Sequence, residues 1–270
     1  MNENICKFSY IGKKGYTIPK SILSKDEYDF LKNDLFMKPF SLMKGLDINE
    51  PFPVYRESEK KIYIPRFYGI KRYGLPDNND INPGTDINLN FVKSLRDYQE
   101  NIISIYMDYV NKPICNNSPF KGNGAILQVP CGKGKTVCAL NIISKLSKKA
   151  LVIVHKEFLL NQWIDRIKEF LPNAKVGKIQ ADVYDVEGKD IVIGMLQTLY
   201  SKSFPYESFN EFGITIIDEV HRIGSEQFSK ALLKCITPYM LGISATVDRK
   251  DKLTNLLYMF IGERIYKETD

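Results

Sequence analysis

The sequence predicts an α/β fold in which a parallel-sheet lobe follows a small α+β domain, and three observations predict it. From about residue 124, short β-branched runs alternate with segments of helical period, the pattern of repeated βαβ units. Those runs are uniformly apolar, as strands covered by helices on both faces must be. Residues 1–88 instead carry a capped helix and a hairpin, and a polar, turn-rich stretch over 75–90 (LPDNNDINPGTDINLN) separates them from the rest of the chain.

In chain order, Ser24 followed by Glu27 three residues later has the form of a capping box and opens a short helix. A hairpin comes next, over 54–64. The division into domains is expected at 1–88, a small accessory domain, and 89–270, the parallel-sheet lobe. Five strands are expected over 125–129, 150–154, 190–193, 214–217 and 240–244. Over 157–171 the residues Leu160, Trp163, Ile164, Ile167, Phe170 and Leu171 recur at spacings of three and four, one buried stripe of a helix. Trp163, the sole tryptophan, is read as a core residue.

Composition narrows the function. The formal charge is +6, with 38 basic and 32 acidic residues, a mild basic balance that suits a polyanionic partner. Five cysteines without a CxxC pair argue against a disulfide framework or a structural zinc site. No apolar run approaches the roughly 18 residues of a membrane span, and the amino terminus lacks a secretory leader. The expected setting is intracellular and reducing, cytoplasm or nucleus, or the host cytoplasm or virion for a viral protein.

The chemistry is carried by two segments. Val129-Pro130-Cys131-Gly132-Lys133-Gly134-Lys135-Thr136 lies between a predicted strand and a predicted helix, the setting of a phosphate loop. Gly132 and Gly134 permit a tight turn with main-chain N–H groups aimed at phosphates, at the positive end of the following helix. Lys135 is expected to reach the β- and γ-phosphates of ATP, and the Thr136 hydroxyl to hold Mg2+. Val129 stands where the general GxxxxGK[ST] pattern has glycine. The second segment, Ile214-Thr-Ile-Ile-Asp218-Glu219-Val220-His221, puts two acids at the carboxyl end of a buried strand. Asp218 is the candidate second metal ligand, and Glu219 the candidate base for the attacking water. Together with Lys135 they form the expected catalytic set, and the two loops are expected to meet across adjacent strand ends.

In this combination DEVH resembles the DExH box of the superfamily-two helicases, and VPCGKGKT resembles their motif I. The resemblance extends in order over roughly 91–265. The 95–99 segment (LRDYQ) resembles the adenine-reading Q motif, with Arg96 and Gln99 the implied contacts. Residues 152–163, including His155 and Lys156, resemble motif Ia, and 193–198, with Gln197 and Thr198, take the place of motif Ib or Ic. The LGISATVDRKD segment resembles motif III, which implies that His221, Ser244 and Thr246 couple nucleotide state to grip on nucleic acid. The pattern is most similar to double-stranded-DNA translocases of the xeroderma-pigmentosum-B and phage-repair type, and to helicases of poxviruses and other large DNA viruses.

The resemblance implies a RecA-like P-loop NTPase lobe that uses ATP and Mg2+ to drive unwinding of, or movement along, DNA in viral transcription or repair. It also implies a second RecA-like lobe. Nothing after Thr246 is expected to encode one, so the chain is expected to be a nearly inactive, monomeric fragment. An RNA substrate and a non-motor, nucleotide-regulated adaptor stay open as alternatives. Lys156, Gln197 and Thr198 are the implied nucleic-acid contacts within the lobe. Over 56–73, six basic residues face two acidic ones among aromatics, and Lys60, Lys61, Arg66, Lys71 and Arg72 are the candidate contacts from the small domain. A solvated charge face over an aromatic core is the alternative reading of that segment.

Overall fold

A computed structural model describes residues 2–38, 50–205, 207–220, 225–248 and 254–268. The amino-terminal part is built from α1 (Asn2–Phe8), β1 (Tyr10–Gly12), β2 (Gly15–Pro19), α2 (Lys25–Asp34), β3 (Phe36–Met37), β4 (Phe52–Pro53), β5 (Arg56–Glu57), β6 (Lys61–Ile64), α3 (Arg66–Tyr73) and β7 (Asn78–Asn79). Five of these strands form a sheet in the order β5-β6-β2-β1-β7, antiparallel except where β7 runs parallel beside β1. The hairpin expected over 54–64 is the β5–β6 pair. Ser24 caps α2 as its sequence suggests, accepting a hydrogen bond from the Glu27 N–H at 3.2 Å. The Glu27 carboxylate does not complete the box. It lies instead against Arg72 of α3, at 2.8 Å from Nε, and so ties α2 to α3.

The second part comprises α4 (Asp97–Val110), β8 (Gly124–Gln128), α5 (Lys135–Leu146), β9 (Ala150–Val154), α6 (Glu157–Phe170), β10 (Val176–Gln180), β11 (Val183–Tyr184), β12 (Ile191–Met195), α7 (Leu196–Ser201), β13 (Ile214–Asp218), α8 (Ser225–Leu232), β14 (Tyr239–Ser244), α9 (Thr254–Ile261) and β15 (Glu263–Lys267). Its sheet runs β11-β10-β12-β9-β13-β14-β8-β15, and every pairing but β10–β11 is parallel. All five strands expected from the apolar runs are present. Alternate residues of each central strand face opposite sides. Leu127, Val152, Ile193 and Ile243 join the cluster under α4, α5 and α6, whereas Ile126, Leu151, Ile153 and Val192 join the cluster that also holds α8, α9 and the amino-terminal sheet. Both faces are therefore dry, which explains runs such as ALVIV in β9 with no polar residue.

The connecting stretch 75–90 lies along this body. Its Ile81 and Leu89 are buried, Thr85 N–H donates to Glu211 O at 2.8 Å, and Lys149 N–H donates to Thr85 O at 2.9 Å. Arg66 fastens the two parts more firmly. It is 3% exposed, and its guanidinium donates to the carbonyls of Thr237 (3.1 Å), Pro238 (2.8 Å) and Gly122 (2.9 Å). This corrects the expectation that Arg66 meets nucleic acid. Its charge is spent on main-chain oxygens at the start of β14 and before β8, which have no other way to be satisfied in a buried seam.

Candidate active site

The chain's two chemical segments converge at the carboxyl ends of β8 and β13. The expectation that these strands are neighbours is corrected, because β14 runs between them. It serves both sides: Val129 N–H donates to Ser244 O at 2.9 Å and Glu219 N–H donates to Ile243 O at 2.9 Å. One strand end thus positions the phosphate loop and the acidic loop together.

The phosphate loop turns through two left-handed residues, Gly132 (φ 82°) and Gly134 (φ 79°). At Gly134 more than the dihedral excludes a side chain, since a Cβ there would stand 2.3 Å from Gln99 Nε2. Gln99 is buried and braces the turn. Its Nε2 donates to Lys133 O at 3.2 Å and its Oε1 accepts from Arg96 N–H at 3.0 Å. Arg96 itself is exposed, with its guanidinium 3.2 Å from Tyr98 Oη. Cys131 and Lys133 are exposed on the loop, whereas Val129 is buried beneath it.

Lys135 opens α5 and places its ammonium 2.7 Å from Glu219 Oε1. Glu219 adopts φ 53°, a conformation that turns its side chain away from the sheet and into the cleft. Asp218, one residue earlier, is 6% exposed, and its Oδ2 accepts the indole N–H of Trp163 at 2.8 Å. Burial pushes the Asp218 carboxyl above the ordinary range, and the charge of Glu219 adds to this, while the Trp163 N–H and the Lys135 ammonium oppose it. Ser244 Oγ lies 2.7 Å from Thr246 O and 3.3 Å from Glu219 Oε2, and a single hydroxyl proton serves one of these acceptors at a time. His221, the remaining coupling candidate, lies outside the described residues.

Gln99, Lys135, Thr136, Asp218 and Glu219 line one cleft of about 550 Å³, together with Arg166 and Phe170 of α6. The Thr136 hydroxyl and the Asp218 carboxylate are hard oxygen donors on its wall and fit Mg2+, which takes few protein ligands when phosphates complete its shell. No group of three or more His, Cys, Asp and Glu gathers among the described residues. The roles of Arg166, Phe170 and Trp163 at this cleft were not read from the sequence; the helical stripe marks them only as core or surface.

Residues expected to meet nucleic acid are distributed unevenly. Lys156 is exposed at the start of α6, beside Phe158, which is 62% exposed. Gln197 lies in the first turn of α7, just after β12, the strand beside β9, and its amide donates to His155 O at 2.9 Å. Thr198 is buried, its Oγ1 accepting from Ala181 N–H at 2.9 Å. That corrects its assignment as a nucleic-acid contact. In the small domain Lys60 and Lys71 are exposed. Lys61 pairs with Tyr10 Oη at 3.2 Å and Arg72 with Glu27. Of the interleaved aromatics, Tyr73 is buried and Phe67 and Tyr68 pack half-buried against the core, whereas Tyr63 is half-exposed with its hydroxyl 3.4 Å from Ser58 Oγ.

Residues 92–249 match the family model described as type III restriction enzyme, res subunit. The chain belongs to this family, among the superfamily-two helicases. This helicase lobe is 33% identical over 265 residues, 96% of the chain and 49% of the relative, to a putative ATP-dependent RNA helicase of Acanthamoeba polyphaga mimivirus. It is 29% identical over 177 residues, 65% of the chain and 36% of the relative, to the DNA 3'-5' translocase XPB2 of Sulfurisphaera tokodaii. It spans about half or less of the length of these relatives. Among solved structures it resembles the UvsW helicase of bacteriophage T4, with a TM-score of 0.60 at 16% identity over 96% of this chain and 97% of that one. The SWI2/SNF2 ATPase core of Sulfolobus solfataricus in complex with dsDNA matches with a TM-score of 0.51 at 20% identity over 64% and 37%. These likenesses establish the RecA-like fold. Among the described residues no helix is long and apolar enough to cross a membrane.

Proposed function

We propose that this lobe binds and hydrolyses ATP for a DNA helicase or translocase that moves along, or opens, duplex DNA. The observation that carries the reading is the Lys135–Glu219 pair beside the buried Asp218, all three on the wall of one cleft. Two acids at a strand end, held against a single ammonium, form a site built for an anion that brings its own cation.

As the triphosphate enters, Lys135 exchanges the Glu219 carboxylate for the β- and γ-phosphate oxygens. Glu219 then orients and deprotonates the attacking water. Thr136 and Asp218 would hold Mg2+, which when bound would supply positive charge to offset that of the phosphates. The Ser244 hydroxyl can swing its hydrogen bond between Glu219 and the Thr246 carbonyl, so the segment after β14 senses which partner Glu219 has taken. On the far side of the nucleotide, a second lobe supplies the arginines that stabilise the transferring phosphoryl group.

Lys156, Phe158 and Gln197 come directly after two neighbouring strand ends and form the proposed track, with Lys60 and Lys71 as accessory phosphate contacts. DNA is favoured because the motif pattern resembles that of duplex-DNA translocases and the relative in Sulfurisphaera tokodaii is named a DNA 3'-5' translocase. The names of viral relatives favour RNA as the second reading. Nucleotide binding by the chain, followed with a fluorescent ATP analogue, should be enhanced by duplex DNA more than by single-stranded DNA or RNA. Enhancement by RNA alone transfers the reading to the second polymer, and binding unaffected by Lys135→Ala removes it.

A further inference from the structure

Trp163 is fully buried on α6 and is the chain's only tryptophan. An apolar core position would be filled equally well by phenylalanine or leucine, neither of which brings a polar atom into the interior. Here the indole N–H, which can only donate, meets Asp218 Oδ2, which as a carboxylate oxygen can only accept, at 2.8 Å. The contact joins residues 55 apart in sequence and bridges two elements, because α6 follows β9 and β9 pairs with β13 in parallel register. A carboxylate is free to rotate about its terminal torsion, which is broad and two-fold. A fixed donor on one oxygen removes that freedom and determines which oxygen faces the cleft.

We propose that Trp163 is a positioning residue for the magnesium site: by holding Oδ2 of Asp218, its indole N–H presents Oδ1 to the metal ion or to a water of its shell. The inference rests on the reading of Asp218 as a magnesium ligand. It accounts for a donor-bearing side chain where the packing alone asks for none. It also gives α6 a second connection to the nucleotide, since Gln162 and Arg166 of the same helix line the cleft directly. Partners of this outer kind alter metal affinity by roughly 10–100-fold when removed.

Two variants separate the N–H from the ring. Trp163→Phe removes the donor and part of the volume. Replacement of Trp163 by β-(3-benzothienyl)alanine keeps the bicyclic shape and exchanges the N–H for sulfur, so folding is preserved if the smaller ring proves too disruptive. Binding of a fluorescent ATP analogue is measured over a Mg2+ titration and again in excess chelator. The expected result is a Mg2+ half-saturation raised roughly 10–100-fold in both folded variants, with affinity in chelator unchanged. In the unsubstituted chain, fluorescence of Trp163 itself should change on addition of Mg2+ with a non-hydrolysable ATP analogue and remain constant with the analogue in chelator. An unaltered Mg2+ half-saturation in the benzothienylalanine variant overturns the proposal while leaving the nucleotide site intact. Asp218→Asn is the control for the underlying reading: if it too leaves the Mg2+ dependence unaltered, Asp218 is not a ligand, and both fall.

Discussion

The ammonium of Lys135 stands 2.7 Å from Oε1 of Glu219, a bond between the residue expected to hold phosphate and the residue expected to activate water. Each neutralises the other until a nucleotide separates them. Glu219→Gln is therefore expected to lower ATP hydrolysis by about 10²–10⁴-fold, the range of a lost general base. Nucleotide affinity should hold or rise, because Lys135 no longer has to leave a charged partner. Steady-state hydrolysis and equilibrium nucleotide binding, measured on the same preparation, test the two halves separately. A fall in both together would assign Glu219 to binding.

Arg66 predicts a stability effect without a nucleic-acid effect. Its three carbonyl acceptors lie 56 to 172 residues away, and burial works against its charge. Arg66→Ala strands those carbonyls and should destabilise the fold by roughly 3 kcal/mol or more. Arg66→Lys should rescue little, since a point charge cannot reach three acceptors arranged for a fork. Thermal or urea unfolding measures the loss. A fully stable variant with weakened DNA binding would return Arg66 to the surface.

Of the basic residues over 56–73, Lys60 and Lys71 are the two without a side-chain partner among the described hydrogen bonds and ion pairs. Reversing both to Glu should weaken duplex binding and lower the slope of log affinity against log salt by about 0.9 for each lost phosphate contact. Arg72→Glu should act differently, opposing Glu27 and loosening α2 from α3. Salt-titrated binding isotherms distinguish the cases, and affinity that is unchanged at low salt in the double reversal rejects the accessory role.

Thiol chemistry gives an independent view of the cleft. Cys131 is exposed on the phosphate loop, with its sulfur 3.9 Å from Lys135 Nζ, whereas burial pushes the thiols of Cys138 and Cys235 up to about 12. A maleimide should modify Cys131 orders of magnitude faster than either buried thiol. ATP with Mg2+ should protect it. Mass spectrometry of timed digests reads both effects, and equal rates for Cys131 and Cys235 without protection would show that the nucleotide does not lie over this loop.

Much of this architecture is legible in the residues alone. The five buried strands announce themselves because both faces are covered, and the phosphate and acidic loops because their residue types have few other uses in that order. The strands β10 and β15 escape notice for the opposite reason. VGKIQ and ERIYK carry polar residues on every second or third position, as edge-region strands do, and so resemble turns or helix ends. Arg66 misleads because a basic residue in a basic run gives no sign of carbonyls far along the chain. Thr198 misleads likewise, since its hydroxyl satisfies Ala181, and the helical period that buries Trp163 does not tell what its N–H meets.

The position of β14 has a mechanical consequence. Its last two carbonyls, those of Ile243 and Ser244, each accept one main-chain bond, from the acid-bearing loop on one side and the glycine-bearing loop on the other. A substitution that disturbs the end of β14 therefore reaches both loops at once, and neither can be repacked without its effect being felt by the other.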